Sequence, residues 1–556
     1  MRPSVDVTQP TEFDLIHSML SFLRYVPLVI VVATAFATGY YSTAGSLLWL
    51  GAAIPLSALA ILGCYNLFHP TNNLLRIYPL LAYGRFFSEE IRPEIHQYFV
   101  EDDTHGSPLS FNDRQMVYER AAKEHQEKSF GTELDVYASG YEWLNHTIAP
   151  KDANPEQFRI TIGGAACKHP YDMALLNVSS MSFGSLSANA VLALNGGAKL
   201  GAFAHATGEG GLSQYHLRPG GDLVWEIGTA YFGCRTEDGR FDPEQFAEKA
   251  AEQAVKCVTV KLSQGAKPGL GGVMPASKMT EEIAKVRGVP AHQKCVSPPG
   301  HTEFNTPIGL LQFLEQLREL CGWKPVGFKL CIGHRSEFLA ICKAMLETNI
   351  LPDYIIVDGG EGGTGAAPLE FEDHVGVPLT EGLHFVNQSL IACGLRDAIK
   401  VGCSGKITSA FGMAKRIIQG ADYCNSARAM MLALGCIQAQ RCETNRCPTG
   451  ITTQDPSRTR GLQPDVKKHR VRNFQHATVM EFNRLIASMG LDGPEQLHPS
   501  MLMRRVGPTT VKSYEDIYYQ AEPNELVDGC DASFWGRDWT DARSDCFGPR
   551  TIKANA

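Results

Sequence analysis

No Asp, Glu, Lys or Arg stands between Arg24 and Arg76 of this 556-residue chain. So long an uncharged stretch argues against an ordinary soluble, solvent-exposed N-terminus. A basic excess is also missing. The 51 Lys and Arg face 59 Asp and Glu, a net charge of −8, which argues against a nucleic-acid binder. There is no G-x-G-x-x-G between a strand and a helix, so a Rossmann dinucleotide unit is not supported. A disordered chain is excluded by 44% hydrophobic residues, and a single ordinary domain by the length. Cysteine is plentiful at 16, most of them single and scattered. A chain of this size needs no disulfide staples, so the cysteines imply a reducing compartment, with any special ones in metal or redox work.

Residues 26–43 and 46–64 are apolar runs, each long enough to cross a bilayer core of ~30 Å at ~1.5 Å per helical residue. The polar break from Gly39 to Ser46 suits a hairpin turn. Arg2, Arg24, Arg76 and Arg85 lie outside the two runs and the turn has no basic residue. The positive-inside rule then places both ends in the cytoplasm. The expectation is a cell (inner) membrane protein whose catalytic domain faces the cytoplasm. A signal peptide cleaved after Ala-Phe-Ala at 35–37 fits less well, because the apolar core starts after 24 residues with three acids and a second apolar run follows. A buried soluble helical hairpin is the remaining reading.

From about residue 170 to 450, short apolar runs alternate with amphipathic helices, as in CVTVKLS, VGFKLCI followed by SEFLAICKAMLET, YIIVDGG, and IKVGCSG followed by ITSAFGMAKRIIQG. Strands alternating with helices imply a parallel sheet. Several runs end in glycine or polar residues, which suits a (β/α)8 TIM barrel with its chemistry at the C-terminal strand ends. A doubly wound sheet is the alternative. The expected layout is an N-terminal segment 1–24, a two-helix transmembrane hairpin 25–68, a lead-in 69–150, the barrel with C-terminal helices 151–509, and a tail 510–556. The tail, with Trp535 and Trp539, suggests no chemistry.

Cys436, Cys442 and Cys447 form C-x5-C-x4-C directly before a proline. Close thiolates suit an iron–sulfur cluster or zinc, and three without a fourth suit a three-iron cluster. Plain buried cysteines are the bland reading. Gly405-Lys406 and Asn425-Ser426-Ala427-Arg428 are candidate phosphate loops, since backbone N–H groups converge at such turns. At the last two strand–helix junctions of a barrel they point to a flavin mononucleotide rather than a nicotinamide. Ordinary turns would look the same. Lys261, Gln264 and Lys267 fall on one strand and the loop after it, where a lysine can hold a flavin or a carboxylate. Glu209 lies in TGEGG, a loop too glycine-rich to pack. Solvated surface charge is the alternative for Glu209 and Lys267.

SMSFGSLS (180–187), ATGEGG (206–211), QGAKPGLGG (264–272), SPPGH (297–301), DGGEGGTGAAP (358–368) and ALGCIQAQRCETNRCPTGITTQ (433–454) occur in this order. Together they closely resemble the flavin-binding synthase domain of glutamate synthase, as does FGTELDVYASGYEWLNH (130–146). The resemblance covers roughly residues 75–505. It implies a (β/α)8 barrel with FMN and a [3Fe-4S] cluster. By position it implies that Met181, Ser182 and Phe183 lie against the flavin. Lys261, Gln264 and Lys329 would line it, with Gly359, Gly360 and Gly405 as loop glycines and Arg428 as an added charge at the phosphate. Glu209 and Lys267 would be catalytic. Cys436, Cys442 and Cys447 would hold the cluster.

Departures from the family are equally specific. Leu270 and Val273 stand where the family has an acid and a glutamine. Residue 2 is Arg rather than a cysteine nucleophile, and no β-helix, nicotinamide or FAD module is expected. The implied activity is reduction of an imine formed from a 2-oxo acid and ammonia or an amine. Electrons would come from a separate carrier such as ferredoxin, a reductase or a quinone-linked protein. Two alternatives are an amine or amino acid dehydrogenase that feeds a membrane carrier, and a non-catalytic electron-transfer subunit.

Overall fold

The computed structural model describes residues 22–548 except 44, 46, 125–126 and 530–532. The chain divides into two compact units, Met1–Glu101 and Asp102–Ala556. The segment 69–150 is therefore shared between them.

In the first unit, α1 (Val26–Thr43) and α2 (Leu47–Leu67) pack on each other. Leu28, Ala35 and Thr38 of α1 and Ala53 of α2 are buried, while Val29, Ile30, Phe36, Leu48, Ile54 and Ile61 are exposed. Small residues on the inside let the helices approach, and large apolar ones face outward. The Thr34 and Thr38 hydroxyls return to the carbonyls of Ile30 and Thr34, each at 2.8 Å, so these two donors are satisfied within the helix. Both helices are long and apolar enough to cross a membrane.

The second unit opens with α3 (Phe111–Ala122), capped by Ser110, whose hydroxyl accepts the Asp113 N–H. Eight parallel strands follow: β1 (Leu176–Val178), β2 (His205–Ala206), β3 (Leu223–Ile227), β4 (Val255–Lys261), β5 (Val326–Leu330), β6 (Tyr354–Asp358), β7 (Lys400–Ser404) and β8 (Tyr423–Ser426). Each pairs with the next in sequence, and β8 pairs with β1, so the barrel closes. The expected (β/α)8 architecture is present, and the doubly wound alternative is not. The longer helices between strands are α4 (Ala188–Gly201), α5 (Pro243–Ala250), α6 (Pro307–Leu320), α7 (Arg335–Thr348), α8 (Leu379–Ala392) and α9 (Ala410–Ile418). Only one turn, Gln214–Leu217, follows β2. After β8 come α10 (Arg428–Leu434) and the long α11 (Pro464–Ser488).

The strands are buried on both faces, as a parallel barrel requires. Outward residues meet the helices: Trp225 of β3 stacks on Phe246 of α5, with ring centroids 5.1 Å apart. Inward, Ala206, Val224, Cys257, Tyr354, Ile356 and Tyr423 form one apolar cluster with Ile162, Tyr171 and Met173. The last three belong to an antiparallel ribbon, Arg159–Ile162 with Tyr171–Ala174. The ribbon stoppers the N-terminal end of the barrel. Gly327 and Gly402 make room for the inward tyrosines, because a Cβ there would overlap the Tyr354 and Tyr423 rings.

The tail belongs to the fold. Trp535 is buried and its indole N–H donates to Glu525. Arg335 of α7 donates to the Phe534 carbonyl at 2.6 Å, and Lys343 donates to the Trp539 carbonyl at 2.6 Å.

Candidate active site

Side chains alternate along a strand, so every second residue points inward. Near the C-terminal ends the inward residues turn from apolar to polar. Val224 is followed by Glu226, Gly327 by Lys329, Ile356 by Asp358, Gly402 by Ser404 and Tyr423 by Asn425. Pairing sets them next to one another. Lys261 is in register with Lys329, Asp358 with Ser404, and Ser404 with Asn425. A polar ring thus crowns an apolar plug.

The two neighbouring lysines each have a carboxylate. Lys261 Nζ lies 3.1 Å from Glu209 Oε2 and donates to Gln264 Oε1 at 2.9 Å. Lys329 is ion-paired with Glu226, whose Oε2 also accepts the Ser180 hydroxyl at 2.6 Å. Burial works against the Lys329 ammonium, but Glu226, Asp358 and Glu209 outweigh it and hold it above the ordinary lysine value. Burial also works against the Glu209 carboxylate. Lys261, Arg287 and Lys329 outweigh it, so Glu209 ionises below the ordinary carboxylate range. Lys267 is buried and donates to the Ala366 carbonyl at 2.7 Å. Burial and the Lys261 charge pull its amine below the ordinary lysine value. A lysine has three donors, so two remain for a ligand.

Beside this ring lies a cleft lined by Ser179, Ser180, Gln264, Lys329, Asp358, Gly362, Gly363 and the two loops Ser404–Thr408 and Asn425–Ala429. It holds about 570 Å³ of space free of protein atoms, part of it open to solvent. Lys406 and Arg428 bring positive charge to its far end. Arg428 donates to the Glu361 carbonyl at 2.6 Å, and neither cation forms an ion pair among the described residues. Two strand–helix loops with unpaired cations form an anion site of the kind that holds a phosphate in barrel enzymes. A Cβ on Gly265 would overlap the Gly359 carbonyl, so this close approach fixes the loops after β4 and β6 against each other. Asp358 reinforces it by accepting the Gly265 N–H at 2.9 Å and the Ser404 hydroxyl.

The residues expected to bind a cofactor divide into three groups. Gln264, Lys329, Gly405 and Arg428 line the cleft. Lys261, Gly359 and Gly360 stand behind it; the Gly359 N–H donates to the Ser404 carbonyl at 2.9 Å and the Gly360 N–H to the Val377 carbonyl at 2.9 Å. Of the segment after β1, Ser179 and Ser180 line the cleft, while Met181 and Ser182 are half-buried beyond it. The Phe183 ring is buried against Tyr215, with centroids 5.1 Å apart. Sequence reasoning missed Glu226, Asp358 and His301. A lone acid in the apolar run LVWEI and an acid ending YIIVD were the available signals. His301 Nε2 lies 2.9 Å from the Lys261 carbonyl and Nδ1 lies 3.0 Å from the Tyr231 hydroxyl. Burial pulls its imidazole down to about 4, so it is neutral and braces the end of β4.

The cysteine loop follows α10. The Tyr118 hydroxyl of α3 donates to the Cys436 carbonyl at 2.6 Å, and Gln454 donates to the Gly184 carbonyl at 2.9 Å and the Leu186 carbonyl at 3.0 Å. The loop is thus tied to the segment that follows β1. The three thiols lie within electrostatic reach of one another, and burial pushes Cys436 up to about 12. Burial also raises Cys447, but hydrogen bonds from Thr449 and Thr452 outweigh it and bring it down to about 7. Among the described residues no three His, Cys, Asp or Glu side chains converge on a single ion. Three neighbouring thiols are a donor set that iron–sulfur clusters and zinc both take.

A stoppered parallel barrel with a polar ring and a cleft at the C-terminal strand ends defines an enzyme of the (β/α)8 class. Residues 144–492 match the family described as "Conserved region in glutamate synthase". The glutamate synthase large subunit-like protein YerD of Bacillus subtilis (strain 168) is 32% identical over 84% of this chain and 96% of its own length. The archaeal glutamate synthase [NADPH] of Methanocaldococcus jannaschii is 34% identical over 58% of this chain, which spans 60% of that relative. Among solved structures, a mandelate oxidase variant with (S)-mandelic acid superimposes with a TM-score of 0.40 at 13% identity, over 77% of this chain and 98% of that one. The chain belongs to the glutamate synthase family and is a glutamate synthase-like oxidoreductase.

Proposed function

We propose that the barrel binds FMN in the cleft and a [3Fe-4S] cluster on Cys436, Cys442 and Cys447, and reduces an imine formed from a 2-oxo acid and ammonia or an amine. The observation that carries this reading is the polar ring: two in-register lysines, each with its own carboxylate, beside a cleft that ends on two cation-bearing loops. The bound flavin supplies hydride transfer, and the cluster supplies single electrons from a separate carrier protein.

The chain's own residues bind, orient and move protons. Lys406, Arg428 and the N–H groups of 405–408 and 425–429 take the phosphate. Lys329, fixed by Glu226, supplies a permanent positive charge at the cleft wall. Lys267, with two donors to spare, takes the substrate carboxylate. Glu209 is held as a carboxylate, so it pairs with an incoming ammonium or accepts its proton rather than donating one. The neutral His301 keeps the Lys261 strand end in place.

The hairpin α1–α2 anchors the chain in the cell (inner) membrane, with the barrel on the cytoplasmic side. An anchor beside a membrane carrier also favours a second reading, in which an amino acid or amine is oxidised and electrons leave through the cluster. An anaerobic spectral titration of the purified protein, first with 2-oxoglutarate plus ammonia after reduction and then with glutamate, separates the directions. Protein with neither flavin absorbance nor iron would sink both. Release of the full-length chain from membranes by an alkaline carbonate wash would remove the anchor from the proposal.

A further inference from the structure

Lys278 lies in a single turn, Ala276–Lys278, outside the barrel strands, and is buried at 3% exposure. Its ammonium donates to the Cys442 carbonyl at 2.6 Å and to the Ser185 carbonyl at 3.2 Å. Among the described residues it forms no ion pair; Glu443, the carboxylate within electrostatic reach, is exposed. Two carbonyl oxygens offer partial charges rather than a counter-ion. Burying an ammonium on such terms is costly unless an anion occupies the space it faces. The thiols of Cys442 and Cys447 lie within its electrostatic reach.

We propose that Lys278 is the built-in counter-charge of an anionic iron–sulfur cluster on Cys436, Cys442 and Cys447, and that it raises the cluster's reduction potential. This rests on the cluster reading above. When the cluster takes up one electron its negative charge grows by one, and a fixed positive charge in a dry site stabilises that form more than the oxidised one. The same ammonium joins the cysteine loop to the segment after β1, whose Ser179 and Ser180 line the cleft. It therefore links the cysteine loop to a segment of the cleft wall. Lys278 is a positioning and tuning residue and touches no substrate.

Other bonds hold the loop in place without this charge. Asn445 donates to the Ser277 carbonyl at 3.0 Å, the Ser187 hydroxyl donates to the Gly450 carbonyl at 2.8 Å, and Gln454 makes the two bonds described above. A neutral side chain at 278 thus leaves the loop docked.

The test compares full-length wild type, Lys278→Met and Lys278→Arg, purified without oxygen. Iron, sulfide and flavin contents are measured, and the cluster's midpoint potential is read by electron paramagnetic resonance during a dithionite titration. Support is a downward shift in Lys278→Met with Lys278→Arg near wild type. Loss of iron but not flavin in Lys278→Met, with iron kept in Lys278→Arg, supports it equally. An unmoved potential in iron-loaded Lys278→Met overturns it, as does Lys278→Arg behaving like Lys278→Met. Wild type without iron is a distinct result: it removes the cluster reading itself and this proposal with it.

Discussion

Lys261 and Lys329 stand side by side, in register on β4 and β5, and each ammonium is met by its own glutamate. Two like charges one strand spacing apart in a buried ring repel, and the paired carboxylates offset that repulsion. The arrangement binds the loop after β2, which carries Glu209, and strand β3, which carries Glu226, into one electrostatic unit.

Breaking one pair exposes its cost. Glu226→Gln removes the carboxylate paired directly with the buried Lys329 and leaves it only the more distant Asp358 and Glu209, and removing one partner of a buried pair costs about 3–5 kcal/mol. The expected outcome is a lower unfolding temperature. The double change Glu226→Gln with Lys329→Met regains much of the loss. Differential scanning calorimetry of both variants checks this; equal losses in the two would count against the pairing.

Glu209 gives a pH signature. Its carboxyl ionises lower in the folded chain than an ordinary glutamate. Its contribution to stability is therefore complete above the ordinary glutamate value of ~4.3, and is lost as pH falls through the lower folded value. Denaturant midpoints of wild type and Glu209→Gln should differ near neutral pH and converge as the pH drops below ~4.3. A gap that stays constant through acid pH would show that the Lys261 charge does not govern this carboxyl.

The cation-bearing loops predict cofactor affinity. A hydrogen bond to a charged group is worth about 1.5–3 kcal/mol, so Lys406→Ala or Arg428→Ala should weaken FMN binding by roughly 10- to 150-fold. Fluorescence titration of flavin-stripped protein measures it. Phe183→Leu, at a ring turned toward Tyr215 and the core, should change FMN affinity far less.

The tail offers a purely structural test. Trp535 is buried, and truncation of such a ring costs about 3–5 kcal/mol. Trp535→Ala should lower the unfolding temperature and should leave FMN affinity near wild type, because the tail packs on α7 and α8 and lines no part of the cleft.

The barrel was legible in the sequence because its strands are short apolar runs that stop at glycine or polar residues. Ser404 and Asn425 end such runs, and they do sit at the rim. Lys261 and Lys329 were legible as lysines at strand ends. Their carboxylate partners were not, because the Glu226–Lys329 pairing joins residues on strands β3 and β5, with β4 between them, across the barrel interior. Which neighbours meet inside a barrel depends on strand order and stagger, and neither is visible in a linear pattern. The tail was unreadable because its packing partners, α7 and α8, lie far away along the chain.

Tyr171, Tyr354 and Tyr423 plug the barrel below its polar ring, which makes the enzyme a cup rather than a pipe. Whatever reacts there must come in and go out over one lip, and the cysteine loop is fastened to that same lip. On the proposed cluster reading, a molecule bulky enough to sit across that entrance should block reactant exchange and electron delivery at once.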